Sequence, residues 1–410
     1  MKVGVVGLGY VGLVTAAVLA ENGNTIAGID NDQGKIRKLR EGKSPIYEPG
    51  LEASLTNNAE RLSYSDEYKE LDGCEIVYIT VPTPNRDRKI DLSYVNSAIM
   101  SALDVSKDFI IAVKSTVLPG TAFSLYKRFS IPIVSNPEFT REGSAMEDTR
   151  HPERIVIGAS SIEMADPVRR LWEFTESNFL VTSNENAEMI KYASNSFLAT
   201  KISFINEIAN LCEKIPNCDV TVLAEGMGYD KRIAPYFLRA GLGYGGSCFP
   251  KDTEALISFA RDLGEPLTII EAAVSQNNAR IQHVIGMIKS QLGDDVSGKK
   301  IAVMGVSFKD NTDDVRESPA LKLIQELAKL GANLIVYNPV DVKTGFNIPV
   351  MKNFNEVPDD LDIIVVASEW DEFRILENKN LEIPVVDGRR ILSPAKFKKY
   401  TGVGLSGGKA

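Results

Sequence analysis

The first thirty residues contain the feature that most restricts how this 410-residue chain can fold. A short β-branched run, 3–6, enters the glycine-rich turn GLGYVG at 7–12. A helical stretch runs to Glu21, and a second apolar run, 25–29, ends at Asp30. Glycines spaced G-x-G-x-x-G between a strand and a helix, with an acid closing the next strand, are typical of a dinucleotide-binding βαβ unit.

Each glycine of this turn has its own predicted task. Gly7 allows the tight turn, Gly9 lets a pyrophosphate approach the helix N-terminus, and Gly12 lets helix and strand pack closely. Asp30 would accept hydrogen bonds from both ribose hydroxyls, and its charge, with that of Asp32, would repel a 2′-phosphate. The sequence therefore predicts an NAD site in preference to NADP; the alternative is a structural glycine turn with a solvent-facing aspartate.

Strand-like runs alternate with helical patterns in the first and last thirds of the chain, which is typical of parallel sheets covered on both faces. Between about 186 and 291 the pattern is helical. The run SPALKLIQELAKLG at 318–331 predicts a helix with Ser318 as N-cap and Pro319 at its first position. The predicted fold class is α/β, with two doubly wound Rossmann-like domains joined by a central all-helical domain with a long helix. The predicted boundaries are 1–186, 187–292 and 293–400, with a disordered tail at 401–410.

Charge and composition narrow the function classes. The formal net charge of −9 argues against a general nucleic-acid or anionic-membrane binder. Four cysteines fit no metal motif, and two histidines leave little room for a multi-histidine metal site, so we expect no metal. No signal peptide and no membrane-length apolar run is recognisable. We therefore expect a cytoplasmic protein with reduced thiols.

The cysteines differ in their surroundings. Cys74 begins a strand-like run and Cys212 lies on an apolar helix face, so both are predicted to be core residues, whereas Cys218 lies in a loop. Cys248 stands in GLGYGGSCFPKD at 241–252, where glycines permit close approach of a ligand or backbone and Lys251 brings a charge. From the residues alone, a nucleophile and an inert cysteine in a glycine-rich turn remain alternatives. Beside a dinucleotide site, the nucleophile is favoured, because a thiolate can capture an aldehyde and carry it to a second oxidation.

Seven motifs, in order, are similar to those of the UDP-glucose/GDP-mannose dehydrogenase family, whose UDP-glucose 6-dehydrogenase members make UDP-glucuronate. They are GLGYVGL (7–13), VPTP (81–84), KSTVLPGT (114–121), NPEFTREG (136–143), KYASNSFLATKISFINE (191–207), GYGGSCFPKD (243–252) and FKDNTDDVRESPA (308–320). The resemblance runs from the first residues to about Arg390. It implies a four-electron, NAD-dependent oxidation of a sugar C6 alcohol through cysteine thiohemiacetal and thioester intermediates. It also implies that 1–186 binds NAD, 187–292 makes a homodimer and 293–400 binds a nucleotide sugar.

The resemblance also implies roles for individual residues. Cys248 would be the nucleophile, Lys191 and Asn195 would stabilise an oxyanion, Glu138 would be the acid–base residue, and Asp252 and Thr116 would hold the catalytic water. The implied cofactor contacts are Gly7, Gly9, Tyr10, Val11, Gly12, Asp30, Lys35, Thr83, Thr116, Glu142 and Arg316. The implied substrate contacts are Glu138, Glu142, Lys191, Asn195, Arg232 (from the second subunit), Tyr244, Gly245, Lys251, Lys309 and Arg390, with Arg389 as the alternative to Arg390.

Departures from the family pattern and alternative functions bear on the substrate and the activity. Thr140 and Lys35 differ from the residues common in the family, and Ser247 argues against the UDP-N-acetylmannosamine branch. GDP-mannose or another nucleotide sugar remains an alternative substrate. A non-catalytic NAD-binding regulatory protein is the alternative of another class, and a two-electron alcohol dehydrogenase would leave Cys248 without a task.

Overall fold

The computed structural model describes residues 1–86, 89–345 and 348–407. The chain divides into two compact units, of which the first is Met1–Ser194 and the second begins at Asn195. One helix, Asn184–Cys212, begins in the first unit and ends in the second. Within the described ranges, no helix combines the length and the apolar character needed to cross a membrane.

The first unit is built on an eight-stranded sheet in the order β10-β9-β8-β7-β4-β1-β2-β3. Neighbouring strands are parallel except β8 and β9, which meet in antiparallel fashion through Ser135 and Gly158. The strands are β1 (Lys2–Val6), β2 (Thr25–Ile29), β3 (Leu62–Ser65), β4 (Ile76–Ile79), β7 (Ile110–Val113), β8 (Ile133–Ser135), β9 (Arg154–Gly158) and β10 (Asn178–Thr182); β5 (Asn85–Arg86) and β6 (Lys89–Ile90) form a separate antiparallel pair.

Helices cover both faces of this sheet. They are α1 (Tyr10–Glu21), α2 (Gln33–Arg40), α3 (Leu51–Asn57), α4 (Ser93–Leu103), α5 (Thr121–Phe129), α6 (Ala145–Arg150), α7 (Ile162–Leu171) and the start of α8 (Asn184–Cys212), with short 3₁₀ helices at Ala59–Arg61 and Tyr68–Leu71. Along β1, Val5 packs in the core on one face of the sheet and Val6 in the core on the other. Because both faces are buried, the strands read as continuous apolar runs, as the sequence indicated.

The second unit combines helices with a six-stranded, all-parallel sheet in the order β13-β12-β11-β14-β15-β16. Its strands are β11 (Lys300–Met304), β12 (Asn333–Tyr337), β13 (Val350–Met351), β14 (Ile363–Val366), β15 (Val385–Asp387) and β16 (Tyr400–Gly402). Its helices are the rest of α8, α9 (Val220–Gly228), α10 (Phe249–Asp262), α11 (Thr268–Leu292) and α12 (Pro319–Lys329), with 3₁₀ helices at Phe354–Glu356, Asp371–Asn378 and Pro394–Lys396.

The central helices and the last sheet share one core. Ile205 of α8 and Val284 of α11 lie in the same buried cluster as Val303 of β11 and Ile324 of α12. The stretches predicted as a helical domain and a C-terminal domain therefore belong to one compact unit, and the three-domain division remains a prediction. The α/β fold class, with two Rossmann-like sheets and a long central helix, is confirmed.

The predicted start of α12 is confirmed. The Ser318 hydroxyl accepts a hydrogen bond from the Leu321 amide at 3.3 Å, and Pro319 is the first helical residue. The start was predictable because its signals are local: the N-cap hydroxyl accepts an amide of the first turn, and the proline lies next to it in the sequence.

The prediction of a disordered tail is wrong for residues 401–407. Strand β16 pairs with β15, and Val403 is fully buried. A side chain at Gly404 would lie 2.3 Å from Val220, so this glycine allows close packing rather than flexibility. The Ser406 amide donates to the Cys218 carbonyl at 3.1 Å. Residues 408–410 of the predicted tail lie outside the described part of the chain.

Candidate active site

The glycine turn between β1 and α1 leaves room at one position and none at another. A methyl group on Gly12 would lie 1.9 Å from the Gly7 carbonyl oxygen, so only glycine lets α1 start this close to β1. On Gly9, by contrast, it would meet no atom within 4 Å. The first turn of α1 contains no acidic residue, and Tyr10 and Val11 open that turn. A helix N-terminus with open space before it can receive a pyrophosphate.

Asp30 is held at the end of β2 by both of its oxygens. Oδ2 accepts the Leu8 amide at 2.8 Å and Oδ1 accepts the Asp32 amide at 2.9 Å. The Lys35 ammonium lies 3.1 Å from Oδ2. Asp32 caps α2 by accepting the amides of residues 34 and 35. The carboxylate of Asp30 therefore stands beside the glycine turn in a fixed orientation, where a ribose diol could reach it.

In the first unit, Glu138 and Lys191 form a buried ion pair. The Lys191 ammonium donates to Glu138 Oε1 at 2.8 Å, and both side chains are less than a tenth exposed. Glu138 Oε2 accepts the amide and the hydroxyl of Thr140 at 2.6 and 2.8 Å. Burial by itself would raise the pKa of Glu138, but the Lys191 charge and these hydrogen bonds outweigh it and hold the pKa below its ordinary value. Glu138 is thus an ionised, proton-accepting carboxylate.

Two predicted threonines meet at the carboxyl ends of neighbouring strands. The Thr83 hydroxyl, beyond β4, donates to the Thr116 carbonyl, beyond β7, at 2.8 Å. Glu142 is half-buried in the loop between β8 and α6. Ligands of open α/β sheets bind at this edge of the strands, which agrees with the side of the sheet predicted for the cofactor.

In the second unit, Cys248 occupies the N-cap position of α10, and Pro250 lies in the first turn. The Cys248 carbonyl accepts the Asp252 amide at 2.8 Å, and the Cys248 sulphur lies 3.5 Å from the Ser247 hydroxyl. A helix N-terminus favours negative charge, which suits a group that reacts as a thiolate.

Asp252 is fully buried one turn into α10. Its Oδ2 accepts the Asn195 side-chain amide at 2.7 Å and its Oδ1 accepts the Lys251 ammonium at 2.6 Å. The structure thus brings together three residues predicted for the site, and Asn195 connects α8 to α10. Asn195 follows Lys191 by four residues on α8, so the two side chains project from the same face of that helix.

The glycine loop before Cys248 is held in place by α11. The Asn277 side-chain amide accepts from the Tyr244 amide at 2.8 Å and donates to the Tyr244 carbonyl at 3.1 Å. Buried Arg280 donates to the Gly241 carbonyl at 3.0 Å. A side chain at Gly245 would lie 2.3 Å from the Glu317 carbonyl oxygen. The close approach inferred from these glycines is therefore, in part, to another segment of the same chain.

Several predicted cationic contacts bind nearby carboxylates in the structure. The Arg232 guanidinium pairs with Asp230 and is largely exposed, and Arg316 pairs with Asp314. Arg390 donates to Asp219 at 2.7 Å and to the Val403 carbonyl at 3.1 Å. Lys309 lies beside the Phe308 ring.

Of Arg389 and Arg390, it is Arg389 that reaches the glycine loop. Its guanidinium donates to the carbonyls of Gly243 and Phe308 at 3.3 and 3.4 Å. Of these two alternatives for a substrate contact, Arg389 therefore lies beside the predicted site, while Arg390 binds Asp219 and the Val403 carbonyl.

The sequence did not single out three buried charged residues near these groups. The Lys114 ammonium, at the end of β7, lies 4.9 Å from the Trp172 ring centroid, and burial lowers the pKa of Lys114 to about 8. Glu188 is buried on α8, and Arg280 is buried on α11. Two sequence signals could have identified them. Lys114 directly follows an apolar strand, and Glu188 and Arg280 are charged residues on otherwise apolar helix faces.

All four cysteines are thiols rather than disulphides. Cys74 and Cys212 are core residues, as predicted, and burial raises the pKa of each to about 11. Cys218 and Cys248 are half-buried. Among the described residues, no group of three or more His, Cys, Asp or Glu side chains is arranged to hold a metal ion.

These site features define an NAD-dependent dehydrogenase with two Rossmann-like sheets and a long helix, α8, that begins in the first unit and ends in the second. Models of the UDP-glucose/GDP-mannose dehydrogenase family match the chain over its NAD-binding domain (1–176), central domain (185–279) and UDP-binding domain (302–394). The chain belongs to this family. The predictions of NAD as cofactor and of a nucleotide-sugar dehydrogenase activity are confirmed.

Relatives match over nearly the whole chain. A UDP-glucose 6-dehydrogenase of Rickettsia bellii is 41% identical, covering 98% of this chain and 99% of the relative. One of Bacillus subtilis is 40% identical, covering 96% and 90%. The solved structure of a UDP-glucose dehydrogenase from the archaeon Pyrobaculum islandicum superposes with a TM-score of 0.92 at 35% identity, covering 99% of this chain and 98% of that one.

Two glycine substitutions separate cofactor contact from folding. Gly9→Ala adds a methyl group into open space at a φ of −87°, so we expect an unchanged melting temperature but an NAD KM raised about tenfold or more, because the methyl occupies the approach of the pyrophosphate. Gly12→Ala forces backbone apart and should lower the melting temperature by several degrees. Thermal melts and NAD titrations of both variants check this. An unchanged NAD KM in Gly9→Ala would place the cofactor elsewhere.

Proposed function

We propose that this chain oxidises the C6 alcohol of UDP-glucose to the carboxylate of UDP-glucuronate, in the cytoplasm, with two NAD reduced per sugar. The family and the activities named for the relatives support the substrate. The observation that carries the chemistry is the position of Cys248, at the start of α10 and one turn before the buried carboxylate of Asp252. A two-electron alcohol oxidation would leave this arrangement unused.

Cys248 is the nucleophile of the second half of the reaction. NAD, when bound, supplies the hydride-accepting chemistry. The thiolate adds to the C6 aldehyde, forming a carbon–sulphur bond and a thiohemiacetal. Oxidation of that species leaves a thioester on the same sulphur. Attack by water breaks the carbon–sulphur bond, releases the carboxylate and restores the thiol.

The remaining polar groups stabilise charge and move protons. Lys191 and Asn195 donate hydrogen bonds to the oxyanion that develops on C6. Glu138 accepts a proton from the hydrolytic water, which its low pKa allows because it is ionised at neutral pH. Asp252 and Thr116 hold that water.

Other residues bind the two ligands. The proposed substrate contacts are Tyr244, Gly245, Lys251, Glu142 and Lys309, with Arg232 from a second subunit. Arg389, which reaches the glycine loop, is a better candidate than Arg390 for a further contact. On the cofactor side, Asp30 and Lys35 bind the adenosine ribose of NAD. Thr83, Thr116 and Arg316 bind the rest of the NAD molecule.

A stoichiometric assay tests the proposal. Purified protein is mixed with excess NAD and a limiting, known amount of UDP-glucose, and the NADH formed per sugar is counted; GDP-mannose is tested in parallel. We expect two NADH per UDP-glucose. One NADH per sugar would contradict the thioester route. Two NADH with GDP-mannose and none with UDP-glucose would keep the chemistry and overturn the substrate.

We further propose that the chain forms a homodimer through α8. Phe197, Phe204 and Leu211 repeat at intervals of seven residues on this helix and are 65, 45 and 55% exposed. A seven-residue spacing puts them on one stripe, and exposed aromatic and aliphatic side chains on a stripe are typical of an interface between helices.

Charges on this stripe should separate the subunits. In the double variant Phe197→Glu and Phe204→Glu, we expect light scattering to report the mass of one chain instead of two, because carboxylates cannot be buried without partners. Ile162→Glu, an exposed apolar position on α7, is the matched control and should stay dimeric. A dimer that persists in the double variant would move the interface to another surface.

A further inference from the structure

Helix α8 carries a buried acid, Glu188, that the proposed reaction does not use. The residue is 3% exposed. Its Oε2 accepts the Gly120 amide at 2.7 Å, and its Oε1 accepts the Ala122 amide at 2.9 Å and the Ser135 hydroxyl at 3.1 Å. Two of these three donors are backbone N–H groups, which cannot reverse to accept a hydrogen bond.

The three bonds join three segments that carry proposed catalytic residues of the first unit. Lys191 follows Glu188 by one turn of α8. Gly120 and Ala122 bracket the start of α5, directly after the segment that contains Thr116. Ser135 ends β8, three residues before Glu138. Glu188, Lys191, Thr116, Ser135 and Pro137 also line one small cavity.

We propose that Glu188 is a positioning residue: in its ionised form it holds the start of α5 and the end of β8 against α8. It thereby sets where Thr116 and Glu138 stand relative to Lys191. The inference rests on the proposed function, because those three residues matter only if they act in the reaction.

Protonation would release this hold. A proton on Oε2 faces the Gly120 amide, and a proton on Oε1 makes the Ser135 hydroxyl turn from donor to acceptor. In either case a neutral carboxyl accepts the amides of Gly120 and Ala122, at the start of α5, more weakly than a carboxylate does. Thr116, four residues before Gly120, would then be less firmly placed.

The ionisation falls near neutral pH. Burial raises the pKa of Glu188 to about 7, against the opposing effect of its three hydrogen bonds. The charged groups near it on α8 are Glu185, which raises the pKa further, and Lys191; Lys114, directly after β7, lies near Glu138 and Lys191. The packed segments of α5 and β8 present backbone amides and a hydroxyl.

Activity and stability should therefore respond to pH in opposite directions. The ionised fraction of Glu188 grows as the pH rises through 7, so turnover should increase. The pKa in the folded chain lies above the ordinary value of 4.5, so the folded state binds a proton that the unfolded state does not. The stabilising contribution of Glu188 is therefore present at low pH and is lost as the pH rises through 7. A purely structural residue would make both quantities fall together.

Glu188→Gln is the primary test, with Glu185→Gln, an exposed position one turn away, as the matched control. We expect wild-type kcat to rise across pH 6–8. Glu188→Gln should lose this rise and fall about tenfold in kcat at pH 8, with an unchanged NAD KM. Glu185→Gln should keep the rise. A Glu188→Gln variant with the wild-type pH profile would overturn the inference.

Two further measurements cover other outcomes. Ser135→Ala removes one bond to the ionised form and should move the activity rise to higher pH; an unmoved rise contradicts the proposal even if Glu188→Gln does not fold. Hydrogen exchange followed by mass spectrometry should show faster exchange at Gly120 and Ala122 in Glu188→Gln than in Glu185→Gln, at one pH. This measurement needs no substrate. If the exchange differs as expected while the wild-type protein does not oxidise UDP-glucose, the proposed function fails but the positioning role of Glu188 does not.

Discussion

Replacing Cys248 with alanine should reduce the NADH formed per UDP-glucose from two to a trace. Without the thiol, the C6 aldehyde has no covalent partner, so the second oxidation cannot proceed. The first oxidation, left without its product-consuming step, then stops after a small amount of NADH. Loss of a nucleophile typically costs many orders of magnitude in turnover. The measurement is the stoichiometric assay, with aldehyde trapping to detect the stalled product.

Cys218→Ala is the matched control, because Cys218 is also half-buried and in the same unit. It should retain two NADH per sugar. Iodoacetamide should alkylate Cys248 faster than Cys74, which is buried and has a pKa raised to about 11. Two NADH per sugar from the Cys248→Ala variant would remove the cysteine from the mechanism.

The cofactor half of the molecule was predictable because its signals are local. The turn at 7–12 needs glycines at fixed intervals. The helix and the second strand that follow it end at Asp30. Both requirements are met within thirty consecutive residues. The structure confirms the βαβ unit and the close contact at Gly12 that the glycine pattern indicated.

The ion pair of Glu138 and Lys191 could not be derived in the same way, since the two residues are 53 positions apart. From the sequence alone, a lysine on a helix is most simply a solvated charge. The family resemblance named both residues but not their contact. The glycine loop was interpreted only in part, because Gly245 accommodates the Glu317 backbone, a contact between distant segments.

The missed charges have a common physical cause. Periodicity predicts which face of a helix is buried, but it ranks charged residues as exposed. Glu188 and Arg280 are both on buried faces, where Glu188 accepts from backbone amides and Arg280 donates to the Gly241 carbonyl. The ordered residues at 401–407 were missed for a related reason, because glycine is common both in flexible chains and where backbones pack closely.

Replacing Lys191 with alanine should lower kcat about 100- to 1,000-fold, because one oxyanion donor is worth about 3–4 kcal/mol in the transition state. The change has a second effect. It leaves the Glu138 carboxylate buried without its cation, so burial should raise the pKa of Glu138 and remove the ionised base at neutral pH. Breaking a buried pair also costs about 3–5 kcal/mol of unfolding free energy. Steady-state kinetics and denaturant unfolding measure the two effects separately.

The double variant Lys191→Ala and Glu138→Gln distinguishes catalysis from folding. A neutral amide at 138 no longer needs a cation, so the unfolding free energy should recover much of the loss, while kcat should stay low because donor and base are both absent. Lys201→Ala, on the same helix and hydrogen-bonded to the Ile233 carbonyl, controls for loss of any α8 lysine and should keep near-normal kcat. Recovery of kcat in the double variant would remove both Lys191 and Glu138 from the chemistry. Recovery of stability alone would assign the lost unfolding free energy of Lys191→Ala to the unpaired Glu138 carboxylate.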